Sequence, residues 1–317
     1  MKYKQPYLEP YSGPASRHEC PKCQDRRSFT YYLNGDTGKM IHEKVGRCDH
    51  ESRCGYHYPP REYFRDNPQE RNRPHSTDGM LPTPTHEAIR NTEPDYIPGK
   101  YLTDSLHYES YFTEFLYSLF GEDMDNRTVE RLKFDYHLGG TPSKEVIFWQ
   151  VDASDKIRTG KIMRYDPQTG KRIKSQSHAI NWVHTQLKKE GRIPNDYNLV
   201  QCLFGEHLLT KHPDRLVALV ESEKSAVIAS GVYPGYVWLA TGGKSQLSPE
   251  KIKVLKGRRI LMFPDTDGYQ VWREKAKQLE AIGCTVQLSS LLQRYATIQE
   301  RNAQIDIADW IVEEMKR

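Results

Sequence analysis

Two segments, LVALVESEKSAVIAS (216–230) and RRILMFPDTDGYQVW (258–272), decide the fold expected for this chain. Each reads as an apolar strand that ends in acid, at Glu221 in the first and at Asp265 and Asp267 in the second. Parallel strands bring their carboxyl ends to one edge of a sheet, where the three carboxylates should meet. Two such charges about 4 Å apart repel by roughly 4 kcal/mol at an effective dielectric of about 20. Protonation, solvation or a divalent cation would relieve this repulsion, and the cation is our working hypothesis.

The same alternation of short strands and helices runs through residues 206–317. The strand YVWLAT follows the first segment, and the turn Gly242-Gly243-Lys244 comes directly after it. This order predicts an α/β fold with a parallel sheet flanked by helices. Because ligands bind such sheets at the carboxyl ends of the strands, the glycine turn should lie beside the acids, where Lys244 could reach a phosphate.

The first 66 residues carry the most specific local signal, two pairs of cysteines around a hairpin. Cys20 and Cys23 form a CxxC knuckle, Cys48 and Cys54 follow as a wider pair, and the chain between them turns at Asn34-Gly35. Four thiolates in this arrangement predict a zinc-ribbon β module with a closed, structural Zn²⁺ site. Two alternatives stay open: a redox CxxC, and replacement of one cysteine by a histidine, for which the candidates are His18, His50 and His57.

Between these parts, composition separates a linker from a basic subdomain. Residues 67–100 contain six prolines and no sustained period, which predicts an extended or disordered linker. Residues 101–205 read as a small α+β subdomain with a helix over 104–120, a short helix near 128–134, and an antiparallel sheet. The segment 156–192 carries ten Lys or Arg against two acids. Strand alternation should aim several of these cations at a common phosphate-binding surface; the candidates are Lys161, Arg164, Lys171, Arg172 and Lys174.

Bulk composition limits the class of protein. The net charge of +4 permits a nucleic-acid partner without requiring one. Apolar runs fall short of a membrane span, and the N-terminus lacks the apolar core of a secretory signal, so we expect a cytoplasmic protein with no membrane partner. Four of the six cysteines lie within the first 54 residues. In a reducing compartment, this clustering favours metal binding over disulfides.

A glutamate after one strand, a Gly-Gly turn after the next and Asp-x-Asp-Gly after the third resemble the toprim pattern of DnaG-type primases, topoisomerases and some nucleases. The match covers Val220 to Gly268. The segment reads Glu-Ser-Glu-Lys where the family usually has Glu-Gly, which leaves Glu223 as an additional candidate ligand. The order of a zinc ribbon, a linker, a basic subdomain and toprim resembles bacterial primases, in particular compact primase-like proteins of Bacteroidetes mobile elements. VIFWQVDASDKIRTGKIMRYD (146–166) and LFGEHLL (203–209) are similar to primase segments that precede toprim.

The resemblance implies synthesis of RNA primers on single-stranded DNA. It implies Mg²⁺ or Mn²⁺ held by Glu221, Asp265 and Asp267, directly or through water. Ribonucleoside triphosphates and the DNA template would be the partners, with a replicative helicase or a relaxase as a further partner. The basic candidates, together with Lys244, would bind triphosphate or template. The wide second cysteine pair and the irregular basic strands depart from the primase pattern, and they leave two rivals: a toprim nuclease and a non-catalytic DNA-binding accessory protein.

A late acidic segment, Asp306 to Asp309, has two interpretations. It resembles an acidic stretch of some toprim proteins, and its acids also suit the N-terminus of the last helix. We favour the cap, because a helix is expected to begin there.

Overall fold

A computed structural model describes residues 5–10, 16–50, 54–72, 93–121, 127–174, 180–243 and 247–316. The chain divides into two units, Met1–His86 and Glu87–Arg317.

The N-terminal unit is built on a four-stranded antiparallel sheet. Its strands lie in chain order: β1 (Tyr7–Leu8), β2 (Phe29–Leu33), β3 (Gly46–Cys48) and β4 (His57–Tyr58), followed by α1 (Pro60–Asp66) and a 3₁₀ turn (Pro68–Asn72). The β2–β3 connection turns where Asn34 Oδ1 accepts hydrogen bonds from the backbone N–H groups of Asp36 and Thr37, at 2.9 and 3.0 Å. Asparagine favours such turns because its side chain bonds to the following backbone. The predicted hairpin is therefore confirmed.

The C-terminal unit begins with helices and a small antiparallel sheet. The elements are α2 (Gly99–Ser105), α3 (Tyr111–Phe120), α4 (Arg127–Tyr136), β5 (Gly139–Gly140), β6 (Val146–Val151), β7 (Ile157–Met163), β8 (Asn181–Trp182) and α5 (Val183–Lys189). The prediction of one helix over 104–120 was wrong. The chain forms two helices because Ser110 begins a new one, with a capping box in which the Ser110 and Thr113 side chains bond to each other's backbone N–H.

After β7, the described part of the basic segment contributes an isolated antiparallel bridge between Tyr165 and Arg172. Residues 175–179 lie outside the description. The antiparallel sheet itself is confirmed, with β8 as its fourth strand.

The second half of this unit is a parallel sheet with helices around it. The elements are α6 (Leu208–Lys211), β9 (Val217–Val220), α7 (Glu223–Val232), β10 (Val237–Ala240), α8 (Pro249–Ile252), a 3₁₀ turn (Lys253–Leu255), β11 (Arg259–Met262), α9 (Tyr269–Ala281), β12 (Thr285–Leu288), α10 (Leu291–Tyr295), α11 (Ile298–Asn302) and α12 (Ile307–Met315). The strand order is β10-β9-β11-β12, and all three pairings are parallel. The predicted α/β architecture is confirmed.

Strand β6 separates two apolar cores by simple alternation. Val146 and Phe148 belong to the large core that includes the parallel sheet. Ile147, Trp149 and Val151 belong to a second core. Successive side chains of a strand point to opposite faces. One face of the antiparallel sheet therefore contributes to the core that includes the parallel sheet.

Replacing Gly160 by alanine should destabilise the C-terminal unit by about 1–3 kcal/mol, because overpacking forces neighbours out of place. An added Cβ would lie 2.7 Å from Ile147 Cγ2 and 2.8 Å from Val183 Cγ2. Gly235→Ala is the control, since a Cβ there meets nothing within 4 Å. All five tryptophans lie beyond residue 86, so urea unfolding followed by tryptophan fluorescence reports on this unit. Equal midpoints for the two variants would contradict the packing argument.

Candidate functional site

The four cysteines of the N-terminal unit converge on one point. Their sulfurs all lie within 4.8 Å of one another. Cys20 Sγ is 3.6 Å from Cys54 Sγ, and Cys23 Sγ is 3.8 Å from Cys48 Sγ. Four sulfurs at the usual Zn–S distance of about 2.3 Å in a tetrahedron would be about 3.8 Å apart. The cluster therefore fits a structural Zn²⁺ with four thiolate ligands.

The electrostatics of the cluster also call for a cation. Burial raises the pKa of the Cys20 and Cys48 thiols. A hydrogen bond with His50, whose Nδ1 lies 4.0 Å from the sulfur, lowers the pKa of Cys23 to about 6. Thiolates gathered in this way repel one another, and a bound metal ion holds them in the deprotonated form.

None of the three histidine candidates is needed to complete the cluster, because each contacts another residue. His18 Nε2 lies 2.7 Å from Glu9 Oε2, and His57 Nε2 lies 3.1 Å from the Tyr32 hydroxyl. His50 lies next to Cys23 while all four cysteines complete the cluster. The structure therefore favours the four-cysteine set over a histidine replacement.

In the C-terminal unit, the three predicted acids follow two neighbouring strands. Glu221 comes directly after β9, and Asp265 and Asp267 come shortly after β11, which pairs with β9 in parallel. The glycine turn follows β10 on the other side of β9, and Gly242 N–H donates to the Glu221 carbonyl at 3.0 Å. All of them therefore lie at the carboxyl edge of one sheet.

The acids share this edge without forming a closed cage. Among the described residues, the four cysteines alone form a group of three or more His, Cys, Asp or Glu ligands whose atoms lie within 4.8 Å of one another. Asp267 Oδ2 accepts a hydrogen bond from Gln304 Nε2 at 3.0 Å. The edge thus has oxygen donors suited to Mg²⁺, which keeps several waters and needs few protein ligands.

Glu223 does not join these acids, because it is paired with a lysine. Lys161 Nζ lies 3.0 and 3.1 Å from the two Glu223 carboxylate oxygens and 3.3 Å from the Gly242 carbonyl oxygen. Lys161 is 6% exposed and Glu223 is 1% exposed. The pair joins β7 of the antiparallel sheet to the start of α7, the helix that follows β9 of the parallel sheet. Lys161 is therefore a buried linking residue in this structure, and Glu223 is its partner.

Replacing Glu223 by leucine should lower the free energy of unfolding by about 3–5 kcal/mol, because it leaves the Lys161 ammonium buried without a counter-charge. The double variant Lys161→Met, Glu223→Leu should recover most of that loss, since it removes both charges. Urea unfolding followed by tryptophan fluorescence measures both. Glu274→Gln is the control, because the Glu274–Lys277 pair is exposed and exposed pairs contribute little. If Glu223→Leu were no less stable than this control, the prediction would be contradicted.

The other predicted basic residues do not all meet at one surface. Lys171 and Lys174 line a cavity of about 490 Å³, which we call the basic cavity; its further lining includes Arg172, Lys224, Glu300, Asp309, Glu313 and Lys316. Arg164 instead contacts the Ser143 carbonyl oxygen at 3.4 Å, away from that cavity. Lys244 lies outside the described residues.

The acids of the basic cavity leave part of its positive charge unpaired. Lys224 Nζ lies 2.6 Å from Asp309 Oδ1, and Lys316 Nζ lies 3.2 Å from Glu313 Oε1. Lys171, Arg172 and Lys174 have no ion pair in the described part of the chain. These three cations on one short segment suit a phosphate-bearing ligand. Lys224 is an addition to the predicted set.

Asp306 and Asp309 form the N-terminal cap of α12, as we favoured. Each side chain accepts a hydrogen bond from the other residue's backbone N–H, at 2.9 and 3.3 Å. Ser225 donates to Asp306 at 2.8 Å. The cap therefore ties α12 to α7.

Comparison with known protein families agrees with the zinc ribbon. The profile of a zinc beta-ribbon finger family matches residues 3–69, and a domain of unknown function, DUF6371, matches residues 110–266. No sequence among curated proteins matches the chain. Among the described residues, none of the helices combines the length and apolar character that crossing a membrane requires.

Solved structures similar to this chain include several primases. The zinc-binding and RNA polymerase domains of the Aquifex aeolicus primase are 14% identical, over 98% of this chain and 85% of that one, with a TM-score of 0.38. The RNA polymerase domain of Mycobacterium tuberculosis DnaG is 7% identical, over 68% and 80%, with a TM-score of 0.41. The primase fragment of the bacteriophage T7 primase-helicase is 11% identical, over 91% and 98%, with a TM-score of 0.34. Likenesses this weak do not identify an activity.

Proposed function

We propose that the chain is a DnaG-type nucleotidyltransferase that synthesises RNA primers on single-stranded DNA. The proposal is carried by one observation: Glu221, Asp265 and Asp267 follow neighbouring parallel strands at one edge of the sheet, with the glycine turn beside them. This is the edge at which parallel sheets bind ligands. Residues 206–317 would be the toprim domain, 101–205 the basic subdomain, 67–100 the linker and 1–66 the zinc ribbon.

The three acids would hold Mg²⁺ or Mn²⁺, directly or through water. When bound, the metal would neutralise a triphosphate and activate a primer 3′ hydroxyl. The chain's own cations would position the anionic reactants: Lys171, Lys174 and Arg172 from the basic cavity, and Lys244 from the glycine turn. Lys161, paired with Glu223, would hold the basic subdomain at the metal edge.

The zinc ribbon would engage the template. Around the cysteines lie Arg26, Arg27 and Lys44, all exposed, and the partly exposed rings of Tyr31 and Tyr32. A combination of cationic side chains and aromatic rings binds single strands by charge and stacking. A Pro-rich linker that tethers such a module would raise the local concentration of template at the second unit. A mobile element is the proposed context, with a helicase or relaxase as partner.

The deciding experiment incubates the full chain with single-stranded DNA, labelled ribonucleoside triphosphates and Mn²⁺ or Mg²⁺, with EDTA as the metal-free control. Metal-dependent appearance of labelled RNA supports the proposal. Metal-dependent loss of template without labelled product would replace it with the nuclease. DNA binding with neither product nor cleavage would replace it with the non-catalytic accessory role.

A further inference from the structure

A second cavity of the C-terminal unit lies beside the glycine turn, and nothing above assigns it a ligand. Its volume is about 270 Å³, and its lining includes Gln150, Lys161, Trp182, Gln201, Gly242 and Lys251. We call it the amide pocket. Small-molecule sites generally measure about 300–1,000 Å³. The volume of the amide pocket lies just below this range, which suits one flat ring system better than a whole nucleoside triphosphate.

Gln150 is the anomalous residue of this pocket. It is 2% exposed, and its Oε1 has no hydrogen-bond partner among the described residues. Strand alternation puts it on the face of β6 that carries Val146 and Phe148, both of which pack in the large core. A buried acceptor without a donor costs about 1–3 kcal/mol. A ligand that donates a hydrogen bond to Gln150 Oε1 would satisfy this acceptor.

The other side chains favour a neutral ring over a phosphate. Lys161 is paired with Glu223, and Lys251 Nζ donates to the Thr241 carbonyl at 3.1 Å. Burial also lowers the pKa of Lys251. The charge of Lys161 is therefore balanced by Glu223, and Lys251 is directed at a backbone carbonyl. The remaining polar groups are amides, which recognise the edges of bases.

Trp182 supplies an aromatic surface. It lies directly opposite Lys161 in the β7–β8 pairing, so the two side chains share one face of the sheet. The Trp182 ring lines the pocket and is partly exposed. Bases stack on such rings with little regard to their identity, so selection among bases would fall to the amides.

We propose that the amide pocket binds the adenine base of a nucleotide, with Trp182 against the ring and the Gln150 amide on the base edge. A glutamine amide pairs with adenine in two bonds: its oxygen accepts from the N6 amino group and its nitrogen donates to N7. The acceptor half of that pair matches the unpartnered Gln150 Oε1. Gly242 lines the pocket and donates to Glu221, so a base held here would lie beside the proposed metal edge. The choice of a nucleotide as ligand rests on the proposed function.

The test measures binding of AMP, GMP, CMP and UMP to the full chain in EDTA, by calorimetry and by quenching of tryptophan fluorescence. AMP should bind about tenfold or more tightly than the others. Gln150→Leu should lose that preference and weaken AMP by about the same factor, while its urea midpoint stays equal or rises because an unpaired buried amide is removed. Gln278→Leu, on the exposed side of α9, is the matched control and should bind as the unmodified chain does.

Trp182→Ala provides a second variant should Gln150→Leu fail to fold, and it should weaken all four nucleotides together. Equal binding of the four nucleotides, no binding, or unchanged AMP binding in Gln150→Leu would each overturn the inference. The proposed function fails separately. If Gln150→Leu leaves labelled RNA synthesis unaffected, the role of the amide pocket is contradicted and the proposed function stands. If the chain binds AMP selectively but makes no RNA, the proposed function is contradicted and the adenine site stands.

Discussion

Replacing Cys20 by serine should remove zinc from the N-terminal unit and unfold it. Cys20 is fully buried, and its sulfur lies 3.6 Å from that of Cys54. Cys48, Cys54 and Phe29 form a small buried cluster with it, and the partly buried Cys23 packs against that cluster. Structural zinc contributes about 10–16 kcal/mol of apparent free energy in small metal-dependent modules at neutral pH, so such modules do not fold without it. So small an apolar core cannot replace that contribution.

Metal analysis and two-dimensional NMR of the full chain measure this effect. Zinc should fall well below one equivalent, and the dispersed amide signals of residues 1–86 should collapse. Tryptophan fluorescence should stay unchanged, because this unit contains no tryptophan. Cys284→Ser is the matched control, since Cys284 lies in the other unit with its thiol against the Leu255 carbonyl. One full equivalent of zinc in Cys20→Ser would contradict the four-cysteine site and point to His50 as a replacement ligand.

Replacing Asp265 by alanine should reduce metal-dependent ribonucleotide incorporation by about 10³-fold or more, which corresponds to about 4 kcal/mol of barrier. Asp265 follows β11, which pairs in parallel with β9, the strand that directly precedes Glu221. Without it, a divalent cation would lose a negatively charged oxygen donor, and the remaining donors would hold the ion less firmly.

The rate of labelled RNA synthesis at several Mn²⁺ concentrations measures this loss. Asp265→Asn keeps the size of the side chain and removes its charge, so it should be nearly as inactive. Asp214→Ala is the control, because Asp214 is exposed and precedes β9 at the opposite end of the strand. Full activity of Asp265→Ala alongside the control would rule out a catalytic role for this edge.

The local features of the chain could be predicted well because their causes are local. A CxxC knuckle, an Asn-Gly turn and a second cysteine pair determine a zinc module through short-range geometry. In the second unit, the alternation of apolar strands and helices predicted the parallel sheet, and the acids after β9 and β11 were placed at its edge. The helix over 104–120 was wrong because the apolar period continued across Ser110, where a cap begins a new helix.

Contacts between distant residues could not be predicted in this way. Lys161 and Glu223 are 62 residues apart. The local sequence around either residue gives no sign that the two form an ion pair. Lys161 was expected to share a phosphate-binding surface with Arg164, Lys171, Arg172 and Lys174. In the structure, the Lys161 side chain instead contacts Glu223 and the Gly242 carbonyl at the carboxyl edge of the parallel sheet. It does so because side-chain alternation on β7 directs it towards that sheet.

The sequence by itself determined the parts: four thiolates for one metal ion, a parallel sheet, and three acids at its carboxyl edge. Those features follow from spacing and period, which act over a few residues. Only the tertiary structure decided which polar side chains are committed to each other. It paired Lys161 with Glu223 and gathered Lys171, Arg172 and Lys174 around a cavity. It also left the Gln150 acceptor buried without a donor from the part of the chain that the structure describes. Burial and pairing depend on the large core to which both sheets contribute, and that core brings together residues from distant parts of the chain.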